Sequence, residues 1–296
     1  MMARATIPVD LFNPGQVFAC LGFIEMAEAL TGNALGAFDW SDPEQARFIL
    51  GAEGEQNPVL RVLECLASAK VMSMAPAGSN LSTEKWGVPT LVLPPTEPFP
   101  FRLPTSPATL PVRLECAHQG KRIILDVDHW GDSTQRDTVK FWAGAGGYPG
   151  AALFRDALDL VRDDLMDSAH NPFSLCKPQS SSFRFDWRRD YIPIDAGFSP
   201  NEHDEMVMMG FPVVEIMAAI GLTNARPRMV EHSKLEYHYG VLGLAGVDDH
   251  LYDPIFLRAA LGGAEFPFPR RMFLMRLGWP GQENQARCIT TVTEET

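Results

Sequence analysis

The stretch that decides the fold is residues 7–32, which read IPVDLFNPGQVFACLGFIEMAEALTG. Its first residues belong to an apolar, strand-like segment at 5–11. Asn13 is a typical N-cap residue, and Pro14 occupies the first helical turn, where its missing N–H costs nothing. The apolar residues that follow recur at helical spacing until Gly32, a typical C-terminal stop. The stretch therefore predicts a strand followed by a long helix.

The same alternation continues to residue 75. Short strands are predicted at 37–40 and 47–50, a second helix opens at Asn57 and Pro58, and 71–74 has the pattern of another strand. The order strand, helix, strand, strand, helix, strand is that of the split βαβ, ferredoxin-like unit, which also occurs in RNA-recognition folds. We therefore predict an α+β protein with an N-terminal ferredoxin-like (RRM-like) βαββαβ core, a Pro-rich insertion and further mixed α/β elaboration.

Composition shifts suggest three portions. Residues 1–75 form the ferredoxin-like core half, and residues 76–120 form the Pro-rich insertion, in which repeated prolines break regular helix. That insertion is either an arm that binds a partner or a surface excursion. Residues 121–296 form a second α+β portion packed on the first. Its predicted strands are 121–127, 183–187, 234–242, 272–278 and 286–293, and its predicted helices are 151–167, 212–222 and 254–261. No internal repeat is evident.

Composition also excludes several classes of protein. The chain has 296 residues, a net charge of −12 and a pI of about 5.0, which argues against a free-standing nucleic-acid binder. It shows no apolar run long enough to cross a membrane and no secretory signal pattern. Its five cysteines are scattered singly, which predicts neither a zinc ribbon nor a disulfide framework. We therefore expect a cytoplasmic protein in a reducing compartment.

The basic residues are almost all arginines, 19 Arg against 6 Lys. Arginine is favoured where planar, bidentate contacts to phosphate or carboxylate matter. Around residues 183–189, arginines alternate with Phe183, Phe185 and Trp187, a pattern that can hold phosphates while rings stack on bases. The alternative is that each arginine pairs with a neighbouring acid such as Asp186 or Asp190. The arginine and tryptophan candidates for RNA or DNA contact are Arg184, Trp187, Arg188, Arg189, Arg226, Arg228, Arg270 and Arg271.

A glycine-rich loop at 144–150, GAGGYPG, adds Gly144, Gly146 and Gly147 to these candidates. A loop between a strand and a helix can present backbone N–H groups to a phosphate. It lacks the dinucleotide fingerprint, because Pro149 occupies the sixth position, and it lacks the Lys-Ser/Thr of a P-loop. The loop is therefore a tight connection or a backbone contact for a polynucleotide.

Two catalytic alternatives remain open. Asp126, Asp128, His129 and Asp132 could hold a divalent metal, although clustered acids at the end of a strand more often form a solvated turn. Histidine is the usual acid or base of an endoribonuclease, and the candidates for that role are His129, His232 and His238. No sequence signature of a nucleophile elbow, a zinc protease or a Walker site is present.

Two stretches resemble a known family. One is residues 7–32, followed by GAFDW, RFIL and NPVLRVLECLASA. The other is RFDWRRDYIPIDAGFSPNEH at 184–203, followed by PVVEIMAAIGLTNARPR at 212–228. Together they cover about a third of the chain. They resemble a small subunit family encoded in type I-G (formerly I-U) CRISPR loci, beside the genes of a Cascade-type effector.

The resemblance implies a non-catalytic subunit of a complex guided by crRNA, with crRNA, target DNA, other Cascade subunits and a recruited helicase-nuclease as partners. In such complexes the guide RNA reads sequence, while the protein holds its backbone and the displaced strand. The resemblance implies no cofactor, no metal, no membrane and no catalytic residue. The alternatives are an endoribonuclease that cleaves CRISPR repeats and an unrelated metal-dependent enzyme.

Overall fold

The computed structural model describes residues 1–42, 44–100, 103–130, 148–189, 208–233, 235–244, 250–278 and 287–295. The protein is α+β, as predicted, with several small sheets around two central helices. The described α-helices are α1 (Pro14–Thr31), α2 (Pro58–Ser68), α3 (Gly150–Val161), α4 (Pro212–Asn224) and α5 (Pro254–Leu261). None of them is long and apolar enough to span a membrane.

The strands of the described residues form three larger sheets and one small pair. The first sheet has the order β1 (Met2–Pro8), β3 (Arg47–Glu53), β2 (Ala34–Asp39). The second has the order β5 (Thr90–Val92), β4 (Lys70–Ala75), β6 (Val112–His118), β7 (Lys121–Val127). The third has the order β10 (Arg228–Met229), β11 (Glu236–Leu242), β12 (Arg270–Gly278), β13 (Cys288–Glu295). The small pair is β8 (Lys177–Pro178) with β9 (Met209–Gly210).

The predicted order of the first six elements is present, from β1 through α1, β2, β3 and α2 to β4. These four strands do not share one sheet, however, so a ferredoxin-like sheet is not formed. β4 pairs in parallel with β5 and antiparallel with β6. The edges of β4 are thus taken by strands of the Pro-rich segment 76–120. The Ser73 hydroxyl adds a hydrogen bond to Thr90 of β5 and a buried one with Thr83.

One predicted strand, 183–187, is wrong. The backbone there is irregular, and its N–H groups at Phe185 and Asp186 donate to the Glu215 carboxylate of α4. Backbone donors that bond to a side chain cannot enter a strand ladder. The other predicted strands of the C-terminal half correspond to β7, β11, β12 and β13 within a few residues.

The centre of the molecule is the crossing of α1 and α4, which are buried over most of their length. The two helices touch backbone to backbone. A Cβ atom on Gly22 would overlap the carbonyl oxygen of Met217, and a Cβ atom on Gly221 would overlap the carbonyl oxygen of Phe18. Only glycine permits this approach at either position.

The contacts at this crossing are reciprocal. Each glycine meets the carbonyl oxygen of the residue four positions before the other, so a local two-fold axis relates the helices, with equivalent residues 199 positions apart. Glu25 and Asn224 are one such equivalent pair, and they hydrogen-bond to each other at 2.6 Å. The elements β9, α4, β10, β11, α5 and β12, which we call the second unit, follow the same order as β1, α1, β2, β3, α2 and β4, which we call the first unit. The structure thus contains a repeated element order that the sequence does not show.

The prediction of no disulfide is wrong. Cys65 of α2 and Cys116 of β6 are joined by a disulfide, with Cα atoms 5.6 Å apart and 51 positions between them in the chain. Both side chains are buried between α2 and the second sheet. Nothing in their sequence spacing signals the pairing, because it depends on the packing of a helix against a distant strand.

Candidate nucleic-acid interface

A cleft of about 430 Å³ opens beside the start of α1. It lies between the end of β1, the connection from β2 to β3 and the turn at 171–174. Two predicted contact residues, Arg188 and Arg271, line it. The other lining residues are Pro8, Val9, Asp10, Leu11, Phe12, Gln16, Trp40, Asp42, Glu44, Gln45, Ala46, Asn171, Phe173 and Ser174.

Arg271, on β12, is held in place before any ligand arrives. Its Nε and Nη2 donate to the two carboxylate oxygens of Glu294 on β13, each at 2.6 Å. This paired hydrogen bond raises the pKa of Arg271 and lowers the pKa of Glu294. The guanidinium carbon lies 5.3 Å from the ring centroid of Phe273 and 5.9 Å from those of Phe12 and Trp40. The side chain is therefore a fixed cation beside aromatic rings.

Arg188 is fixed in the same way. Its Nε donates to Asp186, its Nη2 donates to Asp186 and to the carbonyl of Phe173, and its guanidinium lies 3.6 Å from the ring centroid of Phe211. Asp186 is fully buried and also accepts a hydrogen bond from the Asn13 side chain. The predicted alternative of pairing with Asp186 is thus correct for Arg188, and the pair still lies at the cleft.

The segment that carries Arg188 is anchored to the N-terminal ends of both central helices. Asn13, the N-cap residue of α1, donates to Asp186, and Glu215 of α4 accepts from the backbone N–H groups of Phe185 and Asp186 at 3.0 and 3.1 Å. Burial raises the pKa of Glu215 to about 7, against the lowering effect of these hydrogen bonds and of Arg189. Arg188 is therefore positioned by long-range contacts and not by a strand.

Arg189 has a different role from the one predicted. Its side chain is buried, and its guanidinium donates to the Ser182 hydroxyl and to the carbonyls of Gln179 and Ser180. These bonds give Arg189 a structural role in place of the predicted nucleic-acid contact. Phe183 and Phe185 are also buried, stacked on each other at 5.4 Å, so neither can stack on a base.

The remaining predicted residues lie outside the cleft lining. Trp187 is 39% exposed, Arg184 is half-buried with a left-handed φ of 67°, and Arg226 is half-buried. Arg228 is exposed on β10, and Arg270 of β12 pairs with Glu265. The structure therefore brings together two of the predicted arginines and separates the others from them. Gly144, Gly146 and Gly147 lie outside the described residues.

The metal site is not formed by the residues that the structure describes. Asp126 accepts two hydrogen bonds of 2.8 Å from Arg113 on the neighbouring strand. The two residues thus form an ordinary cross-strand ion pair. His129 is buried among rings, and Asp132 lies outside the described residues. No group of three or more His, Cys, Asp or Glu side chains in the described ranges could hold a metal ion.

The three candidate histidines have unrelated surroundings. Burial, helped by the charge of Arg226, lowers the pKa of His129 to about 3 against a weak opposing effect of the Ala219 backbone. His129 is therefore neutral and shielded from water, which does not suit a general acid or base. His232 is exposed and pairs with Glu231, while His238 on β11 pairs with Glu295 at 2.7 Å. His232 and His238 thus have ordinary ion-pair partners.

Sequence reasoning missed the aromatic and acidic residues of the cleft. Phe12 is 37% exposed just before the helix cap, and half-buried Trp40 follows β2. Asp10, Asp42 and Glu44 line the same cleft as the two arginines and add negative charge to it. The signal that the sequence offers for Phe12 is an aromatic residue directly before a predicted N-cap residue, and nothing local marks the acids as part of a site.

Comparisons of the chain with protein-family models, with curated proteins and with solved structures found no match.

Proposed function

We propose that this chain is a non-catalytic subunit of a type I CRISPR surveillance complex of the Cascade kind, guided by crRNA and acting in antiviral defence. The cleft contacts a strand of guide RNA or target DNA, and other surfaces contact neighbouring subunits. The single observation that supports this best is that two predicted arginines, Arg188 and Arg271, from distant parts of the chain line the same cleft.

The chemistry of the cleft suits a short contact with a polynucleotide. Among the described residues, the Nη1 groups of Arg188 and Arg271 have no hydrogen-bond partner, and either can donate to a phosphate oxygen. The exposed face of Phe12 can accept a stacked base. Because each arginine is already oriented, little side-chain freedom is lost on binding.

The negative charge of the chain limits the length of polynucleotide that it can contact. Three acids line the cleft together with the two arginines, and the whole chain carries −12. A protein that coats a long stretch of RNA needs an excess of basic residues. We therefore propose that the chain holds a few nucleotides and relies on partner subunits for stable incorporation.

The proposal also concerns the origin of the fold and the location of the protein in the cell. The order of elements from β1 to β4 supports descent of the first unit from a ferredoxin-like core, with β4 transferred to a neighbouring sheet. A crRNA-guided complex acts in the cytoplasm, with a recruited helicase-nuclease as a further partner.

The Cys65–Cys116 disulfide is unusual for a reducing compartment. Its oxidation state in protein purified from cells under alkylating conditions is therefore part of the test.

Co-purification tests the proposal. The tagged chain is expressed with the products of its neighbouring genes and a repeat-spacer transcript, and bound RNA is sequenced. We expect guide RNA of defined length together with several partner proteins. A monomer free of RNA and partners would refute the proposal.

Variants then test the cleft within that complex. Arg271→Gln is expected to weaken binding of the guide or target strand about tenfold, the usual cost of one phosphate or base contact. Arg276→Gln is the matched control, because Arg276 lies on the same strand, pairs with Glu236 and is outside the cleft lining. Equal affinities for both variants would show that the strand binds elsewhere.

A further inference from the structure

Besides the two arginines, the cleft has a further fixed donor, the side-chain amide of Gln16 near the start of α1. Gln16 lines the cleft although it is only 4% exposed, and its Oε1 accepts a hydrogen bond of 2.8 Å from the N–H of Asp10. This bond fixes the amide, and its Nε2 has no hydrogen-bond partner among the described residues. A nearly buried donor that is held free at the floor of a cleft points to a ligand that accepts a hydrogen bond there.

The acids of the cleft supply acceptors. Asp10 and Asp42 each use one carboxylate oxygen to accept a backbone N–H, from Phe12 and Glu44 respectively, at 2.9 Å in both cases. The carboxylate of Glu44 is exposed and has no such bond within the parts of the chain that the structure describes. Glu44 can therefore accept two hydrogen bonds side by side from a ligand.

These groups match the Watson–Crick edge of guanine. That edge presents an acceptor, O6, followed by two adjacent donors, N1–H and the N2 amino group. Adenine and cytosine present an amino donor beside an unprotonated ring nitrogen, and uracil has a single N–H donor between two carbonyls. A free amide donor and a free carboxylate thus complement guanine better than any other base. The exposed face of Phe12 can stack on the ring, as it can on any base of a single strand.

We propose that the cleft selects a guanine base of the bound strand, with the Nε2 of Gln16 donating to O6 and the Glu44 carboxylate accepting from N1–H and N2–H. The two arginines remain free to contact the phosphates on either side. This inference rests on the proposed function for the presence of a strand and adds the base that the cleft prefers. It also gives the acids of the cleft a role, because a carboxylate that repels phosphate attracts base N–H groups.

Short probes that differ in one base test the proposal with the full chain. They are end-labelled RNA pentamers, UUGUU, UUAUU and UUIUU, in which inosine lacks only the N2 amino group of guanine. By fluorescence anisotropy we expect UUGUU to bind at least about tenfold more tightly than UUAUU, since a good bidentate contact discriminates between bases to this extent. UUIUU should fall between them, because it keeps O6 and N1–H.

Two variants assign the contact to a side chain. Glu44→Gln should abolish the preference for UUGUU over UUAUU without weakening the binding of UUAUU, because it removes one acceptor and a repelling charge. Glu55→Gln is the matched control and should keep the preference. Glu55 is equally exposed, follows β3 and is outside the cleft lining.

Each contrary result overturns a defined part of the proposal. Equal affinities for the three pentamers would refute guanine selection and leave the proposed function standing, since co-purification decides that separately. A guanine preference that survives in Glu44→Gln would refute the role of that carboxylate. Unlabelled GMP that competes as well as unlabelled UUGUU would mean that the cleft takes a free nucleotide and not a strand. Absence of binding by all three pentamers would refute the cleft as the contact.

Discussion

The two units of the molecule share an element order but differ in how their strands are used. In the first unit, β1, β2 and β3 form a sheet with strands of six or seven residues, and β4 leaves for another sheet. In the second unit, β9 and β10 have two residues each, and β11 and β12 supply most of the pairing. The strands of the two units differ in length and pairing, whereas the helix crossing is reciprocal. The crossing is therefore the part of the architecture on which both units depend.

The same comparison explains how the cleft is built. Phe12 precedes α1 and Phe211 precedes α4, at positions that the two-fold relation makes equivalent. Arg271 of β12 lies near Phe12 and Arg188 lies over Phe211, so the phenylalanine at the start of each central helix has an arginine beside it, and neither arginine comes from the first unit. The geometry differs, since the distances from guanidinium to ring are 5.9 and 3.6 Å.

The largest effect is expected from breaking the crossing itself. Gly22→Ala and Gly221→Ala each place a methyl group against a backbone carbonyl that cannot move independently of its helix. Each substitution should lower the free energy of unfolding by about 3 kcal/mol or more. This is at or beyond the upper end of the usual cost of overpacking, about 1–3 kcal/mol, because the overlap is with backbone and not with a movable side chain. Urea titration of both variants measures the loss, with exposed Ala29→Ser as the control in the same helix.

The double glycine variant sharpens this comparison. Once one methyl group has pushed the helices apart, the second finds space already open. The combined loss should therefore be clearly smaller than the sum of the single losses. Full additivity would mean that the two contacts are independent and that the helices do not cross as one symmetric unit.

The sequence predicts the first unit well because its signals are local. Gly32 ends α1 in the left-handed conformation, and the Asn57 side chain caps α2 by accepting from the N–H groups of Val59 and Leu60. Asn13 is the N-cap residue of α1, as the sequence predicts, but its side chain donates to Asp186, 173 positions away. The sheet of β4 depends on a similarly distant choice of partner, which periodicity does not reveal.

Prediction from sequence is limited in the same way at the candidate site. Arg188 and Arg189 are adjacent and identical in sequence, yet one lines the cleft and the other is buried among carbonyls. What separates them is the local backbone path, which Glu215 fixes from 29 positions away. A pattern of residue types predicts which side chains could bind phosphate, but burial decides which of them can reach it.

A further prediction concerns the Cys65–Cys116 disulfide, which joins α2 of the first unit to β6 outside it. The equivalent helix of the second unit, α5, contains no cysteine at residues 254–261. Cross-linking a loop of about 50 residues restricts the unfolded chain and stabilises the fold by up to about 4 kcal/mol. Reduction should shift the urea midpoint of the native chain accordingly. A Cys116→Ala variant provides the control, because reductant should not change its midpoint. An unchanged midpoint in the native chain would show that the thiols are not joined in solution.

A smaller effect is expected from equivalent positions 16 and 215 of the two central helices. Gln16 accepts a hydrogen bond from the N–H of Asp10 as a neutral amide, whereas Glu215 accepts two backbone bonds as a titratable acid. The pKa of Glu215 is raised to about 7, above its value in the unfolded chain. The folded state therefore holds the proton more tightly, and stability falls as pH rises from about 5 to 8, by up to about 3 kcal/mol.

Glu215→Gln keeps the acceptor oxygen and removes the titration, so this fall should disappear and the variant should be the more stable protein at pH 8. Gln16→Glu should introduce a comparable fall in the first unit, since it buries a carboxyl beside Asp10. Urea midpoints at pH 5 and pH 8 compare the native chain with both variants. If Glu215→Gln retains the native pH dependence, the buried carboxylate is stabilised in its charged form. The two helix starts would then be electrostatically alike in spite of their different residues.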